Sequence, residues 1–442
     1  MNHTRTMLKG TLILTLSGFL TKIIGFLYRI FLSQTIGSTG MGIYQLIFPI
    51  HALCFALTVG GIQTAISRLV AAKSAKKEDS DARAVFLIAT SFSTLLSILV
   101  TFFLFHYADW FAIHILFEPQ CTSLLKVSSL SIPMGTFHSC VNGYYFARKK
   151  TLLPALSQLI EQTARVAASY LLWLVWSQEG HAITPMLAVF GLFFGEFISM
   201  LFALFITIMD FHSSTQPVLK ITRPFRQLRE ILAFSTPLTC NRLLVNLLHS
   251  IESILIPGHL RLFGMTQQTA LSVYGVLNGM ALPLILFPCA ITNAVSVMLL
   301  PSVAEHQALG NYDNIRLCIQ KTIRYCLVLG FLFTFGFFFL ADFLGLFLFK
   351  NELASTFIRT LSFICPCLYL SSTLSGILNG LGQTGPYFFQ NMTGLSIRLL
   401  FVFFVIPTHG IIGYLWGLLL SELITTLLTL LFLHLFLKGK YF

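Results

Sequence analysis

The chain has 442 residues, of which 56% are hydrophobic and only 10% are charged, and its formal net charge is +12. Soluble domains carry about 25% charged residues, so this composition excludes an ordinary soluble protein and is typical of a membrane protein. A nucleic-acid-binding role would need a soluble basic domain, and no polar stretch is long enough to form one, so we expect no nucleic acid partner.

Twelve apolar stretches are long enough to cross a bilayer, since a membrane helix needs about 20 mostly apolar residues. In chain order the predicted spans are roughly 10–33, 43–69, 84–107, 124–147, 152–176, 184–209, 230–256, 271–300, 322–341, 358–381, 386–406 and 410–437. Prolines interrupt several of them, which is tolerated where neighbouring helices cover the freed backbone groups. The sequence therefore predicts an all-α polytopic membrane protein with about twelve transmembrane helices.

Lys and Arg residues in the connections predict the orientation, because cytoplasmic loops carry an excess of them. Nineteen of these residues lie on the side of the two termini, and four lie on the opposite side. This difference predicts a multi-pass protein with both termini in the cytoplasm.

The two halves of the chain repeat one another. Four residues recur 233 positions later and three recur 226 positions later: Pro133, Gly143, Thr151 and Arg165 as Pro366, Gly376, Thr384 and Arg398, and Gly191, Glu196 and Ile198 as Gly417, Glu422 and Ile424. Six spans per half is an even number, so both halves enter the membrane the same way up. We predict two six-helix lobes, 1–215 and 216–442, related by a pseudo-two-fold axis along the membrane normal, with a cavity between them and a linker at 210–229.

Basic side chains inside two apolar spans are the first candidate functional residues, since a charge inside a membrane helix is costly to keep. Lys22 and Arg29 lie seven residues apart on the first span, and Arg242 and His249 have the same spacing on the seventh. Seven residues are two helical turns, so each pair shares one face, with its members about 10 Å apart. These four groups predict a cationic cavity for an anionic substrate such as a phosphate or pyrophosphate head group. Snorkelling to the interface is the alternative for Arg29.

The fifth and eleventh spans carry a second set of candidates. Glu161 and Arg165 have the i,i+4 spacing of an intrahelical ion pair on the fifth span. Arg398 repeats Arg165 on the eleventh, but Gly394 stands in place of the acid. Arg398 therefore needs a partner elsewhere or a substrate, and both arginines are candidates for substrate binding.

Carboxylates lie in the sixth and twelfth spans as well. Glu196 and Glu422 occupy repeated positions, and each, like Glu161, either titrates as a coupling site or pairs with a buried Arg and holds a lobe together. Glu252 and Asp342 lie near the ends of their spans, where we expect them to be solvated at the interface.

Sequence motifs for catalysis are missing. The chain contains no Walker A loop, no GxGxxG after a strand, no HExxH helix and no CxxC pair. We therefore expect no catalytic residue, no metal and no cofactor, and the chain is not predicted to be an enzyme.

Six segments resemble one family over nearly the whole chain: YRIFL at 28–32, IGSTGMGIYQ at 36–45, GIQTAIS at 61–67, YGVLNGMALP at 274–283, SVMLLP at 296–301 and GILNGLGQ at 376–383. They resemble the stage V sporulation protein B family of the multidrug/oligosaccharidyl-lipid/polysaccharide flippase superfamily, which is similar to the lipid II flippases. The resemblance implies an exporter in a bacterial inner membrane. It would move an undecaprenyl-pyrophosphate-linked precursor of peptidoglycan or another polysaccharide outward by alternating access, for the cell wall of the spore. Its partners would be the lipid-linked anionic glycan, membrane lipids and a cell-wall polymerase.

Two other functions stay open from the residues alone. One is a cation-coupled multidrug exporter of the same superfamily, whose site should be dominated by acidic and aromatic groups. The other is a scaffold that transports nothing and recruits a polymerase or glycosyltransferase.

Overall fold

The computed structural model describes residues 2–76, 78–212 and 224–441, and every regular element in these ranges is helical. Eight helical stretches within them are long and apolar enough to cross a membrane. The first and the last, of 63 and 55 residues, are each long enough for two crossings, since one crossing takes about 20 residues. The prediction of an all-α polytopic membrane protein is confirmed, while the number of twelve spans stays a prediction.

Glycines in the left-handed region break the two longest stretches. Helix α1 (Asn2–Phe55) is interrupted at Gly37, where φ is 70°, and the last helix, Ile406–Tyr441, is interrupted at Gly410, where φ is 64°. Residues with a side chain rarely adopt this conformation, so glycine lets the chain turn here without a separate loop. The break at Gly37 falls between the predicted spans 10–33 and 43–69, and the break at Gly410 falls on the first residue of the predicted span 410–437.

The described chain packs as two compact units. Unit 1 comprises Met1–Gly25 and Ile43–Ile254, and unit 2 comprises Phe26–Gly42 and Leu255–Phe442. A lobe boundary between 215 and 216 and most of the predicted linker at 210–229 lie outside the described residues, so the boundary stays a prediction.

Unit 1 is a helical bundle with an aromatic core. After α1 come a π-helical turn at Ala56–Gly60, α2 (Ile62–Ala75), α3 (Asp79–His106), α4 (Ala108–Trp110), a π-helical turn at Phe111–Ile115, α5 (Cys121–Ala147), α6 (Leu152–Gln178) and α7 (Met186–His212). The rings of Phe86 on α3 and Tyr144 on α5 lie 4.5 Å apart in its core. Gly143 lets α5 approach α2 closely, because a Cβ atom there would lie 2.8 Å from the backbone oxygen of Gln63.

Unit 2 repeats this close helix approach. Its elements are α8 (Pro224–Leu262), which begins in unit 1, then α9 (Gln267–Gly275), α10 (Leu282–Leu286), α11 (Cys289–Ala308), α12 (Tyr312–Phe343), α13 (Glu352–Leu361), α14 (Cys365–Gly380), α15 (Thr384–Leu400) and α16 (Ile406–Tyr441). Short π-helical turns lie at Val276–Ala281, Leu344–Leu348 and Phe401–Val405. Gly376 of α14 packs against Ser296 of α11, as the repeat-related Gly143 packs against α2.

Candidate functional site

Four ionisable side chains meet inside unit 1, where α5, α6 and α7 pack together. Helix α5 provides His138, α6 provides Glu161 and Arg165, and α7 provides Glu196. The Arg165 Nη2 atom lies 2.5 Å from Glu161 Oε1 and 3.8 Å from Glu196 Oε1. On the opposite side, His138 Nδ1 lies 3.2 Å from Glu196 Oε2. His138 and Glu196 are only 7% and 9% exposed, so the cluster lies in the interior.

The sequence makes room for this cluster with two glycines. A Cβ atom on Gly135 would lie 2.9 Å from Glu196 Oε2, and a Cβ atom on Gly195 would lie 2.9 Å from the backbone oxygen of Glu161. Buried charges are tolerated when each has a close partner, and removing one partner is strongly destabilising. The geometry therefore supports the interpretation of Glu161 and Arg165 as an ion pair that holds unit 1 together.

The same cluster has the atoms of a small cation site. Ligand atoms of His138, Glu161 and Glu196 all lie within 4.8 Å of one another. Arg165 contacts both carboxylates, and its positive charge opposes a multivalent cation at that place. Two carboxylates and one guanidinium leave one negative charge uncompensated while His138 is neutral, so a single proton would balance the cluster.

Two of these four side chains differ at the equivalent positions of unit 2. The offsets of 233 and 226 residues give Ser371, Gly394, Arg398 and Glu422 in place of His138, Glu161, Arg165 and Glu196. Ser371 Oγ donates a hydrogen bond to Glu422 Oε2 at 3.3 Å. These four residues line a pocket of about 290 Å³. A closed ion-pair cluster in unit 1 thus corresponds to an open polar pocket in unit 2.

Two of the predicted cations, Lys22 of α1 and Arg242 of α8, have exposed side chains in unit 1. Arg242 Nη2 donates a hydrogen bond to Thr64 Oγ1 at 3.3 Å, and its aliphatic stem packs beside Gly60. Among the described residues, neither Lys22 nor Arg242 forms an ion pair with a carboxylate. Both positive charges are therefore available to an anionic ligand.

The other two predicted cations have protein partners. Arg29, in unit 2, donates from Nη1 to the backbone oxygen of Asn278 at 3.1 Å. His249 Nδ1, in unit 1, lies 3.5 Å from Glu252 Oε2. The expectation that Glu252 is solvated at the interface is wrong, because its side chain is only 6% exposed. Helix α8 continues for ten residues beyond it, to Leu262, so Glu252 lies inside the helix.

The sequence does not identify His138 as a candidate, and it does not indicate that Glu252 is buried. His138 lies on an apolar helix without a charged neighbour in sequence, and the repeat aligns it with a different residue, Ser371, so the sequence alone does not mark it as functional. Asp342, in contrast, is exposed as expected and pairs with Arg359 at 2.6 Å.

A solved structure has the same fold as this chain. The chain superposes on the inward-facing conformation of a multidrug resistance MATE family transporter of the MOP superfamily with a TM-score of 0.72, covering 97% of this chain and 98% of that one. The two sequences are 13% identical, so this likeness shows the fold alone. This chain therefore has the fold that this transporter has.

Sequence comparison gives the family of the chain. Residues 7–307 match the family of polysaccharide biosynthesis proteins, and the chain belongs to that family. Stage V sporulation protein B of Bacillus subtilis (strain 168) is 26% identical over 437 residues, which cover 96% of this chain and 83% of that protein. The lipid II flippase MurJ of the same organism is 22% identical over 347 residues, which cover 73% of this chain and 62% of that protein. The resemblance read from the sequence is confirmed, and these relatives agree with a transporter rather than an enzyme.

Proposed function

We propose that the protein is a flippase that exports an undecaprenyl-pyrophosphate-linked precursor of peptidoglycan or another polysaccharide across the bacterial inner membrane. Transport would proceed by alternating access, with both termini in the cytoplasm, and the precursor would serve the cell wall of the spore. Membership of the polysaccharide biosynthesis family supports this substrate class. The names of two relatives, a sporulation protein and a lipid II flippase, support it further.

The observation that carries the proposal is the unpaired positive charge on Lys22 and Arg242. A charge in a membrane helix is costly unless a partner or an aqueous cavity compensates it. Neither side chain has a carboxylate partner among the described residues, whereas Arg165 has two. A diphosphate is an anion that a guanidinium binds through two parallel hydrogen bonds and an ammonium attracts as a point charge. We assign Lys22 and Arg242 to the diphosphate of the substrate.

The remaining charged candidates receive different roles in this proposal. Arg29, held by Asn278 O, and Arg398, in the unit 2 pocket, face the substrate. Arg165 and Glu161 hold unit 1 together through their ion pair. His249 Nδ1 lies beside the buried carboxylate of Glu252, and His249 contributes less to substrate binding.

The test is complementation in cells depleted of their own lipid II flippase, with lipid II on the outer face of the membrane as the quantity measured. The wild-type chain should restore outward lipid II, and Lys22→Ala/Arg242→Ala should remove most of it at equal membrane expression. Lys126→Ala is the matched control, since Lys126 also carries a positive charge but pairs with Asp109 at 3.3 Å. Unimpaired flipping by the double variant would contradict the cationic site.

One observation favours a second function, a cation-coupled multidrug exporter. The cluster of His138, Glu161 and Glu196 places two carboxylates and an imidazole together in unit 1, and each of these groups can take up and release a proton. The same cells distinguish the two functions. Lipid II that stays inside, together with drug resistance that depends on Glu196, would replace the flippase with the drug exporter.

A further inference from the structure

The pocket in unit 2 lies where the second half of the repeat has smaller side chains than the first half at two positions. Ser371 and Gly394 stand in place of His138 and Glu161, and the pocket of about 290 Å³ lies beside them. A Cβ atom on Gly394 would lie 2.7 Å from Thr425 Cγ2, so α15 and α16 meet closely at this wall. The loss of side-chain volume thus creates a cavity, whereas the helices around it stay tightly packed.

The lining of this pocket is polar and balanced in charge. It contains one cation and one anion, Arg398 and Glu422, together with the side-chain amides of Asn293, Gln390 and Asn391. Glu422 opposes a second anion in the pocket, and Arg398 opposes a second cation, since like charges at close range repel strongly inside a membrane protein. The ligand that fits this lining is therefore neutral and polar.

Part of this lining is fixed in place by the protein. Gln390 is 2% exposed, and its Nε2 donates to Ser375 Oγ at 2.9 Å, while its Oε1 accepts from Thr429. Ser371 Oγ donates to Glu422 Oε2. These contacts hold the inner wall in one geometry before a ligand arrives, which lowers the entropic cost of binding.

The remaining polar side chains are available to a ligand. Asn293, Asn391 and Tyr387 line the pocket, and within the described part of the chain their side chains make no hydrogen bond. A side-chain amide both donates and accepts, as each hydroxyl of a sugar does. The ring of Tyr387 adds a flat apolar face with a polar tip, suited to the face of a pyranose. Ligand pockets usually measure about 300–1,000 Å³, so a pocket of 290 Å³ has room for one sugar ring and not for an oligosaccharide.

We propose that this pocket binds one neutral sugar residue of the transported lipid-linked glycan. Glu422 accepts hydrogen bonds from the sugar hydroxyls, Arg398 and Asn391 donate to them, and Tyr387 packs against the ring. The proposal rests on the flippase function and adds a sugar subsite inside unit 2. In unit 1 the equivalent space is occupied by Glu161 and His138, so that unit binds no sugar there.

The experiment compares two probes on the purified full-length protein in lipid nanodiscs. One probe is a short-chain polyprenyl diphosphate, and the other is the same lipid carrying one N-acetylhexosamine. The wild-type protein should bind the glycosylated probe about tenfold more tightly, the effect of one to three neutral hydrogen bonds. Asn391→Ala should reduce this preference about threefold or more and leave the affinity for the sugar-free probe unchanged.

A second variant fills the pocket with side chains that unit 1 has at the equivalent positions. Gly394→Glu combined with Thr425→Ser reproduces Glu161 and Ser199 of the first half, and it should abolish the preference. Thr393→Ala is the control, because the Thr393 hydroxyl donates to Phe389 O within α15 and does not line the pocket. If the double variant does not fold, Asn391→Ala alone still tests whether the pocket binds the sugar.

The outcomes separate the sugar subsite from the flippase function. A wild-type protein that binds both probes equally, or variants that keep the preference, would overturn the sugar subsite and leave the flippase in place. A protein that binds neither probe would overturn both. Lys22→Ala/Arg242→Ala should lower the affinity of the protein for both probes by the same factor, since those residues are assigned to the diphosphate.

Discussion

The interiors of the two units differ at equivalent positions of one repeat. In unit 1 the positions hold two carboxylates, a guanidinium and an imidazole, and oppositely charged or titratable atoms of these side chains lie 2.5 to 3.8 Å apart. In unit 2 they hold one carboxylate, one guanidinium, a hydroxyl and a glycine, and a pocket opens beside them. Duplication has kept the helices and changed what lies between them.

This difference separates stability from binding within one fold. A closed set of buried ion pairs is costly to disturb, because each loss leaves a charge without a partner. An open set of amides and hydroxyls keeps hydrogen-bonding groups available for a ligand. We therefore expect substitutions at the unit 1 cluster to lower the free energy of unfolding, and substitutions at the unit 2 pocket to change ligand binding.

The largest effect should come from removing the shared cation of the unit 1 cluster. Arg165→Ala would leave Glu161 and Glu196 buried together without their guanidinium, which should lower the free energy of unfolding by about 3–5 kcal/mol. Arg398→Ala, at the equivalent position beside the pocket, should lower the free energy of unfolding by less than half of this amount. The measurement is unfolding of the purified full-length protein in detergent, followed by circular dichroism.

A paired substitution sharpens the same comparison. Glu161→Gln together with Arg165→Gln removes one negative and one positive charge, and it should recover a large part of the stability lost in Arg165→Ala. Equal losses for Arg165→Ala and Arg398→Ala would contradict the difference between the closed and the open interior.

A smaller effect is expected at the glycines where the helices of each unit approach one another. Gly143→Ala would push a methyl group to 2.8 Å from the backbone oxygen of Gln63, which cannot move without shifting α2. This overpacking should lower the free energy of unfolding by about 1–3 kcal/mol. Gly376→Ala meets the hydroxyl of Ser296 first, and that group can rotate away, so the cost should be smaller. Thermal unfolding of both variants checks the order.

The control for this pair is Gly376→Ala in a Ser296→Ala background. Removing the hydroxyl removes the first clash and leaves contacts of 3.0 Å to the Cβ atom and the backbone oxygen of residue 296, so Gly376→Ala should lower the unfolding temperature less in this background than in the wild-type protein. A larger loss for Gly376→Ala than for Gly143→Ala would show that the backbone of α2 yields more easily than a serine side chain.

Much of the fold could be predicted from the sequence because hydropathy and the repeat are strong signals. One helix break falls between two predicted spans, at Gly37, and another falls at the start of the last predicted span, at Gly410, and both residues have a positive φ. The ion pair of Glu161 and Arg165 follows from their i,i+4 spacing alone. Each of these features depends on residues that are near in sequence or on periodicity, which a single sequence displays.

Features that depend on packing between helices were not predicted. Hydropathy predicts an interfacial position for Glu252 because it does not show the full length of α8, whereas the structure buries Glu252 beside His249. The repeat shows that Gly394 lacks the acid expected beside Arg398, yet nothing in the sequence indicates the space that the absent side chain leaves. A cavity is a property of what several helices fail to fill, so it needs coordinates.

The smallest effect should come from a surface ion pair that both units keep. Lys126 and Asp109 lie 3.3 Å apart in unit 1, and Arg359 and Asp342, each 233 positions later, lie 2.6 Å apart in unit 2. The carboxylates of both pairs are more than 60% exposed. Water screens such pairs, so Lys126→Ala and Arg359→Ala should each change the free energy of unfolding by less than about 1 kcal/mol, and the loss should shrink further in high salt. A loss of several kcal/mol at either site, independent of salt, would mean that the repeat is held together at its surface as well as in its interior. Two small and similar losses would place the divergence between the units entirely in their interiors.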